Sequence, residues 1–203
     1  MQTFFWVLVI VIGYFLGNLN GAILISKHLM HDDVRKHGSG NAGLTNYFRT
    51  YGGFQSLLVI VIDVTKCVVA CLIAQWLLPE QGLHAKMVAG VACMVGHCFP
   101  ATAGFKGGKG ILCGAAMAGA TDWRVLLIIL ALFILTIALT RFVSLGSVLA
   151  ATAFAVCFLL FHWGDWLTCA LALAAACFVI YRHRGNIVSL VKGTESKLTF
   201  HKK

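Results

Sequence analysis

Hydrophobic and polar positions separate along this chain into long blocks, not into the short alternations of a soluble fold. Stretches without a formal charge run for 22, 19 and 23 residues over Phe4–Ile25, Met87–Phe105 and Phe142–Gly164. A helix that crosses a bilayer needs about 20 apolar residues. The blocks predict seven apolar segments, at about 4–26, 54–78, 86–100, 108–121, 124–140, 143–162 and 166–182. The fourth is short and rich in Ala and Gly. At about 1.5 Å per residue it spans too little of a roughly 30 Å hydrocarbon core unless it starts near Gly107. The expected fold is an all-α integral membrane protein, a seven-transmembrane-helix bundle forming a single domain over residues 1–203. No internal repeat, low-complexity tract or separate soluble domain interrupts it.

Composition agrees with that pattern. Only 11% of residues are charged and 60% are hydrophobic, against about 25% charged in soluble domains. The first block lacks a basic leading region and a clear small-residue cleavage site, so it reads as a membrane helix and not a signal peptide. The formal net charge is +9. Because the basic residues cluster between apolar blocks, the excess points to membrane orientation and anionic ligands, not nucleic acid. The eight cysteines contain no CxxC pair, and most lie within apolar runs. They read as small buried hydrophobes, with no disulfide framework or metal site indicated.

The basic residues also set a direction. If all seven segments cross, one side holds Lys27, Arg35, Lys36, Arg49, Lys106, Lys109, Arg141, Arg182, Arg184, Lys192, Lys197, Lys202 and Lys203. The other side holds Lys86 and Arg124. Positively charged loops stay in the cytoplasm. The expected orientation is N-terminus outside, C-terminus cytoplasmic.

Four stretches on the cytoplasmic side carry the polar chemistry. Arg35–Arg49, RKHGSGNAGLTNYFR, is dense in Gly, Ser and Asn. Such residues make sharp turns whose backbone N–H groups form anion nests, with Ser39, Asn41, Thr45 and Asn46 as added partners. An ordinary polar loop is the plainer alternative. Gly96–Gly110, GHCFPATAGFKGGKG, combines glycines that let a ligand approach the backbone with lysines that supply charge. A helix follows, and its N-terminal amides favour an anion. The loop is not a Walker A motif, since Ala103 and Gly110 stand where that motif has Gly and Ser or Thr. In Thr140–Ser147, Ser144 and Ser147 begin a helix, where serine usually caps. In Tyr181–Lys197, His183 and Asn186 share a face if the seventh helix continues. Arg182 and Arg184 flank them and also suit interfacial anchoring. Four anion-binding stretches at one membrane face imply a ligand with more than one phosphate, or two phosphorylated ligands, one of them lipid-like.

SGNAGLTN (39–46), GHCFPATAGFKGGKG (96–110), RFVSLGS (141–147) and RHRGNIVSLVKGTESK (182–197) resemble, in order and spacing, the bacterial acyl-phosphate:glycerol-3-phosphate acyltransferase family. The resemblance covers almost the whole chain. It implies seven transmembrane helices and transfer of a fatty acyl group from acyl phosphate to glycerol 3-phosphate, giving lysophosphatidic acid. It implies no cofactor, and a monomer is expected. Ser39 and Arg49 match the family's first motif, and Gly107, Gly108 and Lys109 its phosphate loop. Ser147 matches the serine after the fifth helix. His183, Asn186 and Glu195 match the last motif, with Glu195 structural. Ala42, Ser189, Cys67, Asn18 and Asn20 depart from the usual residues, and none is a charged ligand of the reaction.

Among these residues we assign Arg49, Lys109, Ser147, His183 and Asn186 to glycerol 3-phosphate, and Ser39 with the glycines of 107–110 to acyl phosphate. The two sites can be exchanged without changing the set. The donor is a mixed anhydride with a good leaving group, so positioning and charge stabilisation matter more than a covalent nucleophile. His183, His97 and the substrate's own phosphate are the candidate bases, the last favoured by the resemblance. His28 and Asp33 fit the H-x4-D pattern of thioester-using acyltransferases, a spacing common by chance. Asp63 and Lys66, three apart within an apolar block, read first as a mutual pair. An organophosphate transporter is the rival class, but it would line a path through the midplane, whereas these groups crowd one face.

Overall fold

The computed structural model describes residues 1–199, so Lys202 and Lys203 of the charge tally lie outside the described residues. Its regular structure is helical throughout, in two compact units that divide after Thr121. The first unit contains α1 (Gln2–Gly17), α2 (Gly21–Leu29), α3 (Leu44–Tyr51), α4 (Gln55–Leu77), α5 (Gly82–Cys98) and α6 (Ile111–Thr121). The second contains α7 (Trp123–Thr140), α8 (Val143–Phe161), α9 (Trp166–Arg182) and α10 (Arg184–Val191).

Among the described residues, five helical stretches are long and apolar enough to cross a membrane, with α1 and α2 counted as one. The pair α9 and α10, bent by 58°, makes a sixth if taken together. The expected fourth segment is only the 11 residues of α6, about 16 Å of helix. The backbone before it is irregular, yet Gly107, Gly108 and Gly110 are buried. Non-helical backbone at membrane depth is tolerated only inside protein or along a cavity.

The expected single segment 4–26 is instead broken at Asn18–Asn20. Asn20 adopts an extended conformation, and its side chain accepts from the Ile23 amide at 3.0 Å, capping α2. The break also frees backbone groups of Gly17, Leu19 and Gly21. Water is not available to satisfy them within a bilayer, so side chains must. Lys66 Nζ donates to the carbonyls of Gly17 (3.2 Å) and Leu19 (2.9 Å), and Asp63 Oδ1 accepts from the Gly21 amide (3.0 Å). Lys66 and Asp63 bond each other at 2.7 Å. The pair expected from sequence is therefore the repair of a broken helix.

Small residues let the helices close on one another. A Cβ at Gly17 would run into the Cys93 carbonyl, and one at Gly96 into that of Tyr14, so α1 and α5 cross backbone to backbone. Beside them, Ala22, Ile23 and Ile25 of α2 cluster with Val34, Ala42, Tyr47 and Val59. That cluster seats the loop between α2 and α3 on α4. In the second unit α8 packs on both α7 and α9, through Ala150, Ala151, Phe154 and Phe158 on α8 and Ala172, Ala175 and Ala176 on α9.

Candidate functional site

The first unit brings two of the four motif stretches together. In the 30–43 loop, Asp33 caps a 3-10 turn over Val34–Lys36 by accepting from the Arg35 amide at 3.1 Å. Arg35 binds both Asp33 oxygens and donates through Nη1 to the Ala103 carbonyl at 2.7 Å, tying this loop to the glycine loop. It therefore does more than orient the chain. Its guanidinium holds the Asp33 carboxyl down at about 2. The thioester-type pattern of His28 and Asp33 is thus spent, on the Asp33 side, on loop structure.

Asn46, expected as an anion partner, is consumed by the fold. Its Oδ1 accepts from the Ser39 amide, and its Nδ2 donates to the carbonyls of Val34 and His37, each at 3.0 Å. This fixes Ser39, whose side chain lies on an exposed turn flanked by Gly38 and Gly40, both with positive φ. Arg49 lies on the exposed face of α3. Tyr51 closes that helix by donating to Asp32 at 2.9 Å. Burial and the Asp32 carboxylate push its hydroxyl up to about 12.

The glycine loop folds back on the end of α5. Gly107 N donates to the Cys98 carbonyl and Gly108 N to that of His97, both at 3.1 Å. A Cβ at Gly108 would collide with His97 Nε2 and lie 2.8 Å from the Ala42 carbonyl. Glycine is thus required where the loop passes between the imidazole and the first motif. Asn20 Nδ2 donates to that same Ala42 carbonyl at 2.9 Å. Lys109 follows, half-buried, and Gly110 (φ 88°) turns the chain into α6. Ser39, Gly107, Gly108 and Lys109 therefore sit on two loops that touch, with His97 beneath them.

The second unit holds the other motif residues. Ser147 is not an N-cap as expected. It lies inside α8, buried, and its hydroxyl donates to the Val143 carbonyl at 2.9 Å. Ser144 is also inside α8, which begins after Phe142 without a side-chain cap. The seventh helix does not continue through the last motif. It bends by 58° at His183, so His183 and Asn186 are not on one face of a straight helix. His183 is 4% exposed, and its Nδ1 lies 2.8 Å from the Val179 carbonyl. A carbonyl only accepts, so Nδ1 carries a proton there. Asn186 Nδ2 donates to Glu195 Oε1 at 2.9 Å, which holds the segment after α10 against it. That segment also pairs with the start of α8 through Leu198 N to the Arg141 carbonyl at 2.7 Å.

Comparison with known proteins gives this geometry its context. The family model described as glycerol-3-phosphate acyltransferase matches residues 7–193. The chain belongs to the glycerol-3-phosphate acyltransferase family. A glycerol-3-phosphate acyltransferase of Prochlorococcus marinus (strain MIT 9312) is 40% identical over 194 residues, covering 95% of this chain and 97% of that one. One from Clostridioides difficile (strain 630) is 37% identical over 201 residues, covering 98% of each. The crystal structure of PlsY (YgiH), an integral membrane glycerol 3-phosphate acyltransferase, in its glycerol 3-phosphate form matches with a TM-score of 0.87 at 30% identity over 96% of both chains. Its lysophosphatidic acid form gives 0.83 at 29%, over 96% of this chain and 95% of that one. The acyltransferase is thus an enzyme of phospholipid synthesis and an integral membrane protein, and the transporter alternative falls away.

The sequence reading of this acyltransferase missed Asn20 and Arg35 as organisers, and ranked His97 low. The signal for Asn20 was present: a polar residue within an apolar block. Nothing in the sequence paired Arg35 with Ala103, 68 residues away.

Proposed function

We propose that this acyltransferase moves a fatty acyl group from acyl phosphate to the sn-1 hydroxyl of glycerol 3-phosphate, releasing phosphate and lysophosphatidic acid. The observation that carries this reading is the glycine loop. Gly107 and Gly108 are pinned to the end of α5, Lys109 stands beside them, and α6 follows, in a chain of this family. Tight backbone turns next to a lysine suit a phosphate ester or anhydride.

In this reading Ser39 and the glycines of 107–110 bind acyl phosphate. Arg49, Lys109, Ser147, His183 and Asn186 bind glycerol 3-phosphate. Two anions must be brought together, at a Coulomb cost of about 4 kcal/mol for unit charges 4 Å apart at an effective dielectric of 20. Arg49 and Lys109 offset it, while the Gly107 and Gly108 amides are spent on the carbonyls of Cys98 and His97 and hold the loop in place. With Nδ1 protonated, the neutral His183 ring accepts through Nε2, so it orients or deprotonates the glycerol hydroxyl, or binds phosphate when charged. Removal of the hydroxyl proton falls to the substrate's phosphate or to His183. The oxyanion of the tetrahedral intermediate collapses to the ester and expels phosphate. Glu195 fixes Asn186 and takes no part in the chemistry.

We further read the chain as one membrane domain and a monomer. It crosses a bacterial inner membrane seven times with the N-terminus outside, and its site lies on the cytoplasmic face. The basic loops and the positive-inside tendency support that orientation. In it α6 is a half-length span completed by the buried glycine loop.

The test is phosphate release by purified protein given palmitoyl phosphate and glycerol 3-phosphate, alongside Lys109→Ala. Release that needs both substrates and collapses in the variant is expected. A folded wild type that releases none sinks the acyl-phosphate donor. Undiminished activity of the variant removes Lys109 from the site.

A further inference from the structure

His97 has three polar neighbours at Nδ1. Lys66 Nζ lies at 2.9 Å, Asn20 Nδ2 at 3.4 Å and Asp63 Oδ1 at 3.4 Å. An ammonium and an amide nitrogen can only donate. Asp63 Oδ1 is closer to its other partners, Lys66 at 2.7 Å and the Gly21 amide at 3.0 Å. Lys66 Nζ has three protons for four neighbours. Its three shortest contacts are Asp63 Oδ1 (2.7 Å), the Leu19 carbonyl (2.9 Å) and Nδ1 (2.9 Å), with the Gly17 carbonyl sharing a proton at 3.2 Å, so the nearest group to Nδ1 is a donor and Nδ1 accepts. The proton of the neutral ring then sits on Nε2. That edge faces the glycine loop, where a Cβ at Gly108 would collide with Nε2 and lie 2.9 Å from Cε1.

A buried lysine, aspartate and histidine within apolar helices are costly unless each is paired. The α1/α2 break accounts for Lys66 and Asp63. It does not account for His97, whose ring touches Asn20 and Lys66 but binds none of the backbone groups that the break frees. His97 is 4% exposed, and its ring abuts the glycine loop at Gly108.

We infer that His97 is an anion-binding donor of the glycine loop: Asp63 and Lys66 hold its ring so that an Nε2 proton, not a lone pair, is presented beside Gly108 to a phosphate seated there. This deepens the proposed function and rests on its reading of the loop as a phosphate cradle. It also removes His97 as a general base, since a base needs its lone pair toward the substrate. Here the lone pair points at Lys66, away from the loop. The ring adds one N–H to a site where charge develops on a departing phosphate.

Two amide substitutions separate the roles. His97→Gln places an amide N–H near the Nε2 position, and His97→Asn reaches only as far as Nδ1. The donor role predicts that His97→Gln keeps kcat/KM for acyl phosphate within a few-fold of wild type. His97→Asn should lose about 10- to 100-fold, the worth of a hydrogen bond to a charged group, with KM for glycerol 3-phosphate unchanged. Equal and severe loss in two folded variants would restore His97 as a base and overturn the inference. Equal retention would reduce the ring to packing and overturn it as well. Should either variant fail to fold, nitrogen NMR of the wild-type protein decides, with ring nitrogens labelled and the other seven histidines sorted by single substitutions. The inference requires an unprotonated Nδ1, a protonated Nε2, and an Nε2 resonance that moves when inorganic phosphate is added. A proton on Nδ1, or an Nε2 that ignores phosphate, overturns it. That measurement does not depend on turnover. A wild type inactive with palmitoyl phosphate would therefore undo the proposed donor and leave the tautomer and the phosphate contact standing.

Discussion

The two units solve the same problem, packing apolar helices in lipid, with opposite means. The first has a broken helix and an irregular buried loop, and it holds them with an interior cluster of Asn20, Asp63, Lys66 and His97. The second is built from three long helices, α7 to α9, packed through Ala and Phe, with a bend at His183 where α9 meets α10. Its charges stay at helix ends, with Asp122, Arg124 and His162 at one end and Arg141 and Lys197 at the other. Broken backbone frees polar groups that lipid cannot satisfy, so charge is drawn inward. Continuous helices free none, and small residues suffice.

The largest effect should come from breaking the interior cluster. Lys66→Met leaves Asp63 buried opposite the frayed ends of α1 and α2 and should cost about 3–5 kcal/mol. Thermal unfolding in detergent would measure it. Adding Asp63→Leu should return part of the loss, because the uncompensated charge goes too. A double variant worse than Lys66→Met would mean the carboxylate holds the Gly21 amide independently of the lysine.

Next is the loop itself. Gly108→Ala meets His97 Nε2 and the Ala42 carbonyl. The loop must shift by a sizeable fraction of an ångström, so acyl transfer should fall on the order of 100-fold, while the melting temperature moves far less than in Lys66→Met. Near-normal turnover would show that the loop does not position the reaction.

In the second unit the corresponding test is gentle. Glu195→Gln weakens the bond to Asn186 in a half-exposed place. We expect a rise of roughly 3- to 10-fold in KM for glycerol 3-phosphate, about 1 kcal/mol, with faster proteolysis after α10. An unchanged KM would separate the tail from the substrate.

The smallest effect is common to both units. Asp33 and Asp122 are each held down from an ordinary 3.8 to about 2, by Arg35 and by Arg124 in turn. A carboxyl with a depressed folded value adds stability that is present above its unfolded value and lost as pH falls through the folded one. Acid titration between about pH 4 and 2 should therefore weaken both contacts modestly. Asp33→Asn should flatten that loss at the first loop only, as read by proteolysis between α2 and α3. A variant as acid-labile as wild type there would remove Asp33 as the cause.

By itself the sequence determined that this is a helical membrane protein, where α4 and α7–α9 run, and which four stretches gather Gly, Ser, Asn and basic residues. Unbroken apolar length is a local property, and lipid demands little more of a helix than that. Motif residues on polar loops are legible for the same reason, since little else explains glycines and lysines between apolar blocks. Only the tertiary structure decided that 4–26 is two helices, that α6 is only 11 residues long and that the last helix bends at His183. These depend on partners far along the chain. Asn20 can start a new helix because Lys66 and Asp63, some 45 residues on, take the freed backbone. Asn46 is spent on its own loop, and the Ser147 hydroxyl donates to its own helix, because carbonyls and amides lie within reach of both side chains. His97 shows the contrast most directly. Its apolar neighbours in sequence say only that it is buried, and the direction of its proton is set by a lysine on another helix.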